Sequence, residues 1–211
     1  MKPFVFLLTL FLSAMHSHSQ SGNTLVGEYY LQSVRETASG FRLNADSSFD
    51  FFFSQGALDR SGKGRWRVEN GILQLDSEKW PGTDFRLIES GTVSEKGFFI
   101  EIAEENKNIL AFVDCILKNG DKTKGGSSNS HGEIFIENAE ADSILLQFRF
   151  VPERISVFRV KDQTHNYYRF GFEPWMMEVF FKMFTLDITN DGLKGKHPLL
   201  RGDAFLYRRS K

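Results

Sequence analysis

The residues able to do chemistry in this chain are few and widely spaced. Beyond residue 19 the histidines are His131, His165 and His197, each more than 30 residues from the next. A protein zinc site usually draws at least one ligand pair from a short local spacing. None of the three has a second histidine or cysteine within four residues, so each reads as an ordinary loop residue. Without a well-placed His or Cys, nucleophilic catalysis needs an unusual base, and no serine sits in a Gly-x-Ser-x-Gly elbow. Asp187-Ile188-Thr189-Asn190-Asp191-Gly192 is loosely like a calcium loop. Its twelfth position is Pro198, where a bidentate Glu is required, so it reads as a turn. Arg201-Gly202-Asp203 likewise reads as a turn leading into a strand. Hydrolase chemistry would require Asp59, Glu28 or Glu173 to gather as close carboxylate pairs. The expectation is a non-catalytic chain with no metal and no cofactor.

Two short groupings are better suited to binding. Asp59-Arg60 falls in a polar segment after a Phe-rich strand, where a charge-assisted pair can fix a loop and loops at a barrel mouth often bind ligands. Glu173-Pro174-Trp175 places a tryptophan beside a carboxylate, suited to stacking on a sugar or a partner's ring. Phe51, Phe53 and Trp66 complete the candidates, as aromatic residues that either line a cavity or fill it. The corresponding partners are an unknown protein, a glycan or a small apolar ligand.

These side chains must be positioned by strands. In Phe49-Asp50-Phe51-Phe52-Phe53-Ser54, Phe49, Phe51 and Phe53 share one side, the period-2 signature of a sheet with one buried face. A polar turn with two glycines and a serine is expected before Arg65-Trp66-Arg67-Val68-Glu69, and Asn70-Gly71 is a strong two-residue hairpin turn. Leu25–Val34, Gly40–Asn44, Phe49–Ser54, Gly64–Glu69, Ile72–Asp76 and Phe85–Glu89 make six successive strands, an antiparallel meander. The chain carries 22 phenylalanines, a residue favoured in strands. A net charge of −1 with no strongly basic segment argues against a nucleic-acid partner. Cys115, the single cysteine, alternates with Ala111, Val113 and Leu117 and reads as buried and inert.

Lys2 followed by the apolar run Phe4–Ala14 and by Ser17-His18-Ser19 reads as a signal peptide over 1–19, cleaved before Gln20. The run is too short to span a bilayer. The expectation is export to the periplasm, the cell surface or the medium, with no stable membrane span after cleavage.

Leu25-Val26-Gly27-Glu28-Tyr29-Tyr30, the Phe-rich strand and Gly64-Arg65-Trp66-Arg67-Val68 resemble the lipocalin-like β-barrel proteins of exported bacterial families, with Gly27 and Tyr29 in place of that pattern's Gly and Trp. Beyond Ser90 the alternation restarts at Gly97–Ile102 and Ala111–Leu117. The polar stretch Lys118–His131 reads as the least structured part. Strands then follow at Gly132–Ile136, Ile144–Phe150, Ile155–Val160 and Tyr167–Phe172. Ile100-Glu101-Ile102, Gly125-Gly126 and Gly132-Glu133-Ile134 resemble the carboxypeptidase regulatory-like, prealbumin-type β-sandwich, which implies a folding or interaction module. The chain is therefore read as all-β: signal peptide 1–19, lipocalin-like meander 20–92, sandwich 93–175, and C-terminal strands 176–211. Because six strands leave an open edge, Glu178–Ile188, Leu193–Lys196 and Ala204–Arg209 are expected to close the first barrel, the sandwich lying between strands six and seven. Tandem domains are the alternative arrangement, and a helix over Pro174–Phe184 is the alternative local structure.

Overall fold

A computed structural model describes residues 24–210, and the signal-peptide reading of 1–19 lies outside the described residues. Among the described residues, sixteen strands form three sheets. The first is a closed antiparallel barrel of eight strands, in the order β1-β16-β15-β14-β5-β4-β3-β2. It takes β1 (Gly27–Leu31), β2 (Thr37–Leu43), β3 (Ser48–Gln55), β4 (Leu58–Glu69) and β5 (Ile72–Asp76) from the start of the chain. Its remaining strands, β14 (Phe184–Thr189), β15 (Gly192–Gly195) and β16 (Phe205–Arg209), come from the end. Between these two groups run β6 (Phe85–Gly91), β7 (Gly97–Ala103), β8 (Val113–Asn119), β9 (Lys122–Ser127), β10 (Glu133–Glu137), β11 (Ser143–Phe148), β12 (Ser156–Arg159) and β13 (Tyr167–Phe172). They make two four-stranded sheets, β10-β7-β13-β6 and β12-β11-β8-β9, that share one core of Phe98, Ile100, Cys115, Ile144, Leu146 and Phe170.

The alternation of the Phe-rich strand is realised: Phe49, Phe51 and Phe53 face inward, with Asp50 and Phe52 outside. Asn70 and Gly71 both adopt positive φ (52° and 79°), the conformation a two-residue hairpin turn demands. Cys115 is buried, and desolvation pushes its thiol up to about 12, so it is an inert core residue.

Several segments differ from the sequence reading. The polar stretch after the Phe-rich strand is no loop: the turn is short and β4 begins at Leu58. Its inward positions there are Arg60 and Gly62, which hide the period from an apolar pattern. Phe85–Glu89, read as the sixth meander strand, lies in β6 and pairs with β13 instead. Lys118–His131 is ordered: β9 pairs along the whole of β8, and the Asn129 carboxamide accepts from the N–H groups of His131 and Glu133. This is an edge hairpin, polar because little of it faces the core. Pro174–Phe184 forms no helix, and Glu178–Met183 is not strand, so β14 starts only at Phe184.

Candidate functional site at the barrel mouth

The segment that returns the chain from the sandwich to the barrel decides what the barrel can hold. After turns at Pro174–Met177, Glu178 makes an isolated parallel bridge to Ser61 of β4. The Val179 N–H donates to the Ser61 carbonyl at 2.7 Å, and the Ser77 N–H donates to the Phe181 carbonyl at 2.8 Å. This strap crosses the barrel mouth with Val179 and Phe181 turned inward and buried. Gly62 makes room for it: a Cβ there would stand 2.7 Å from the Val179 oxygen and 2.8 Å from the Phe181 ring. The Phe181 ring packs against Phe49 (5.1 Å between centroids), Phe51 (5.3 Å), Phe184 (5.4 Å) and Phe41 (6.0 Å). Tyr207 lies 5.1 Å from Phe41. The interior at this end is filled by side chains.

Two buried arginines hold the strap. Arg60, 4% exposed, points inward from β4. Its Nη2 reaches Glu153 Oε1 at 2.5 Å and the Glu178 carbonyl at 3.2 Å, and its Nε reaches the Met177 carbonyl at 3.4 Å. Arg154 binds Asp84 Oδ2 through Nε (2.8 Å), the Glu178 carbonyl through Nη1 (2.6 Å) and the Met176 carbonyl through Nη2. Trp80 Nε1 donates to the other Asp84 oxygen at 3.0 Å, and the Asp84 N–H donates to Ser156 Oγ at 2.7 Å. The Arg154 guanidinium also lies 5.2 Å from the Phe180 ring centroid and 5.8 Å from that of Trp80. Planar, multiply donating guanidinium groups are suited to binding carboxylate and carbonyl oxygens together. Burial pushes the Asp84 carboxyl above its usual range, against the opposing pull of Arg154 and Trp80. The arginines thus tie barrel, sandwich and strap into one polar junction.

The strap divides the mouth into two surface grooves. One, of about 520 Å³, is lined by Phe49, Lys63, Gly64, Asp76, Val179 and Phe180 among others. The other, of about 400 Å³, has Glu153, Phe180, Phe181, Lys182, Phe184 and His197 in its wall. Both combine aromatic residues with charged ones in their walls.

His197 lies in the loop between β15 and β16, as read, but is no ordinary loop residue: it is 5% exposed and lies among Phe51, Phe53, Phe205 and Tyr207. Its Nδ1 accepts from the Leu199 and Leu200 N–H groups at 3.0 and 3.1 Å, which leaves the proton on Nε2, 3.1 Å from Ser39 Oγ. The Ser39 hydroxyl in turn donates to the Phe52 carbonyl at 2.7 Å, so this serine–histidine pair is a closed structural chain. Burial lowers the His197 pKa from 6.5 to about 4. The unfolded chain therefore binds a proton below pH 6.5 that the native chain refuses until about pH 4, and stability falls across that window. The expected loss is about 3 kcal/mol by pH 4. Urea unfolding of wild type and H197Q from pH 7 to 4 checks it: the variant should lack that part of the slope.

The sequence-predicted residues scatter. Phe51 and Phe53 are core, and Phe51 reaches the strap through Phe181. Trp66 is buried, its Nε1 donating to the Asn44 carbonyl at 3.1 Å. Asp59 lies on the outer face of β4, away from Arg60, so the expected Asp59–Arg60 loop pair does not form. Trp175 is half-buried and donates to the Thr83 carbonyl at 2.9 Å, a packing role rather than an open stacking surface. Glu28 accepts from the Tyr30 hydroxyl on the barrel exterior. Arg60 alone enters the junction. Asp84, Glu153, Arg154 and Phe181 were not singled out, and His197 was read only as an ordinary loop residue. The available signal was the parity of β4, which turns Arg60 inward and so demands a buried acceptor. Among the described residues no group of three or more His, Cys, Asp or Glu side chains is placed to hold a metal.

Comparisons with protein-family profiles, with curated proteins and with solved structures return no match.

Proposed function

We propose that this chain is an exported, non-catalytic binding module, with a lipocalin-like barrel and a prealbumin-like sandwich, that engages its partner at the strapped barrel mouth. The observation that carries this reading is Phe181: the chain's own ring occupies the space an internal ligand would take. Binding is then left to the grooves on either side of the strap. The second reading is a carrier of a small apolar ligand, favoured by the apolar lining of Phe49, Val179 and Phe180 in the larger groove. Export rests on Phe4–Ala14 and Ser17-His18-Ser19.

Native mass spectrometry of the protein purified from the organism that makes it tests export and the choice between module and carrier, with denaturing solvent extraction in parallel. The expected result is the bare mass of a chain beginning at Gln20. A reproducible extra mass released as an apolar small molecule would replace the module by the carrier. Retention of residues 1–19 would overturn export.

A further inference from the structure

The two outer faces of the sandwich carry complementary rows of side chains. On the sheet β10-β7-β13-β6, the registers place Phe135, Phe99 and Tyr167 side by side across three strands. Phe135 is 49% exposed. The adjacent row is Glu133, Glu101, Arg169 and Glu89. Arg169 lies 3.2 Å from Glu101, and the Tyr167 hydroxyl donates to Glu101 at 2.7 Å and to Glu89 at 3.3 Å. Three carboxylates against one guanidinium leave the row negative.

On the sheet β12-β11-β8-β9, the equivalent row is Val157, Leu145 and Ile116, ending at Gly125. Val157 and Ile116 are 58% and 43% exposed. Beside it run Arg159, Ser143, Lys118 and Thr123, two cations with no carboxylate in the row. Asp142 stands near both, its oxygens also accepting from the Gly120 N–H and the Ser143 hydroxyl, and it offsets one of the two cations, so this face keeps a net single positive charge. Arg149 and Asp114, bound to each other on the far side of the aliphatic row, add no net charge.

We propose that copies of this chain associate head to tail, the aromatic–acidic face of one sandwich stacking on the aliphatic–basic face of the next. The arrangement sets apolar row on apolar row and the glutamates against Arg159 and Lys118. Stacking either face on its own kind brings together surfaces of the same net sign. The pair so formed still exposes one free face of each type, so growth is open-ended rather than dimeric. Four strands about 4.8 Å apart, with about five residues each at ~3.3 Å, span roughly 19 by 17 Å. That is small beside the ~800 Å² per partner of a standard interface, so the contact is weak, with a dissociation constant on the order of 0.1 mM. The inference does not depend on the mouth-binding reading.

Sedimentation equilibrium of the purified chain, from about 10 μM to about 1 mM at low and at roughly 0.5 M salt, tests it. The average mass should rise beyond that of a dimer with concentration, and the rise should shrink in salt. F135K blocks one face and I116E the other, so each variant alone should remain monomeric. Mixed in equal amounts they should form a dimer that grows no further, because each supplies the face the other lacks. V157E should behave as I116E does, and unchanged melting temperatures would show that these exposed substitutions leave the fold intact. Wild type that stays monomeric at the top concentration in low salt would overturn the proposal. So would either variant associating as wild type does, or a mixture that remains monomeric.

Discussion

Arg154→Ala is expected to destabilise the protein by about 3–5 kcal/mol, the cost of breaking a buried ion pair by removing one partner. The Arg154 and Asp84 side chains are 7% and 4% exposed. Without the guanidinium, Asp84 keeps only the Trp80 N–H as a side-chain donor, and the Met176 and Glu178 carbonyls lose their Arg154 donors. For a domain whose total stability is typically 5–15 kcal/mol, this is a large fraction. Arg154→Lys should recover only part of it, since a single ammonium cannot reproduce a planar fork reaching three oxygens. The double variant Arg154→Met/Asp84→Leu should be more stable than Arg154→Ala, because it removes the stranded charge. Arg60 should behave more mildly towards its ion-pair partner, because Glu153 is 43% exposed and water can solvate it. Urea unfolding of the variants measures these differences. Equal losses in Arg154→Ala and the double variant would show that the strap carbonyls, rather than Asp84, dominate the cost.

The junction also explains which parts of the fold were legible in the sequence. Period-2 alternation exposes a strand wherever its inward positions are apolar, as at Phe49, Phe51 and Phe53. It fails where those positions are Arg60 and Gly62, which face inward to bind and to accommodate a strap more than a hundred residues further along the chain. Closure of the barrel by C-terminal strands was foreseeable because open edges are avoided. The strand at which the chain leaves the barrel was not, since Phe85–Glu89 follows a turn as the strands before it do and only its pairing with β13 distinguishes it. Partners 70 and 93 residues apart, such as Arg154–Asp84 and Arg60–Glu153, leave no local spacing to read. His197 is hidden for the same reason: Ser39 lies 158 residues away.

The strap gives the large sandwich insertion a structural consequence for the barrel. Its anchors come from both units: Ser61, Ser77 and Arg60 on the barrel side, Arg154 and Asp84 on the sandwich side. Removing the sandwich would therefore remove the Arg154 part of the strap's fastening. The state of the barrel mouth and the packing of the sandwich are coupled through backbone carbonyls that two arginines share.

Phe181→Ala should separate the fold's dependence on its stopper from the function of the mouth. Truncating a buried phenylalanine costs about 3–5 kcal/mol, the larger values where the surroundings cannot collapse. Here the surrounding rings, Phe41, Phe49 and Phe51, are fixed on β2 and β3 of a closed barrel, which resists collapse. The resulting apolar cavity should remain dry and accept benzene or xenon. Either ligand should then raise the melting temperature of Phe181→Ala with increasing concentration and leave wild type unchanged, as mass action on the folded state requires. Equal stabilisation of wild type would mean that the native barrel already admits apolar molecules past the strap, and the carrier reading would take precedence. A response confined to the variant would identify Phe181 as the residue that keeps the barrel from being a carrier and leaves binding to the grooves outside.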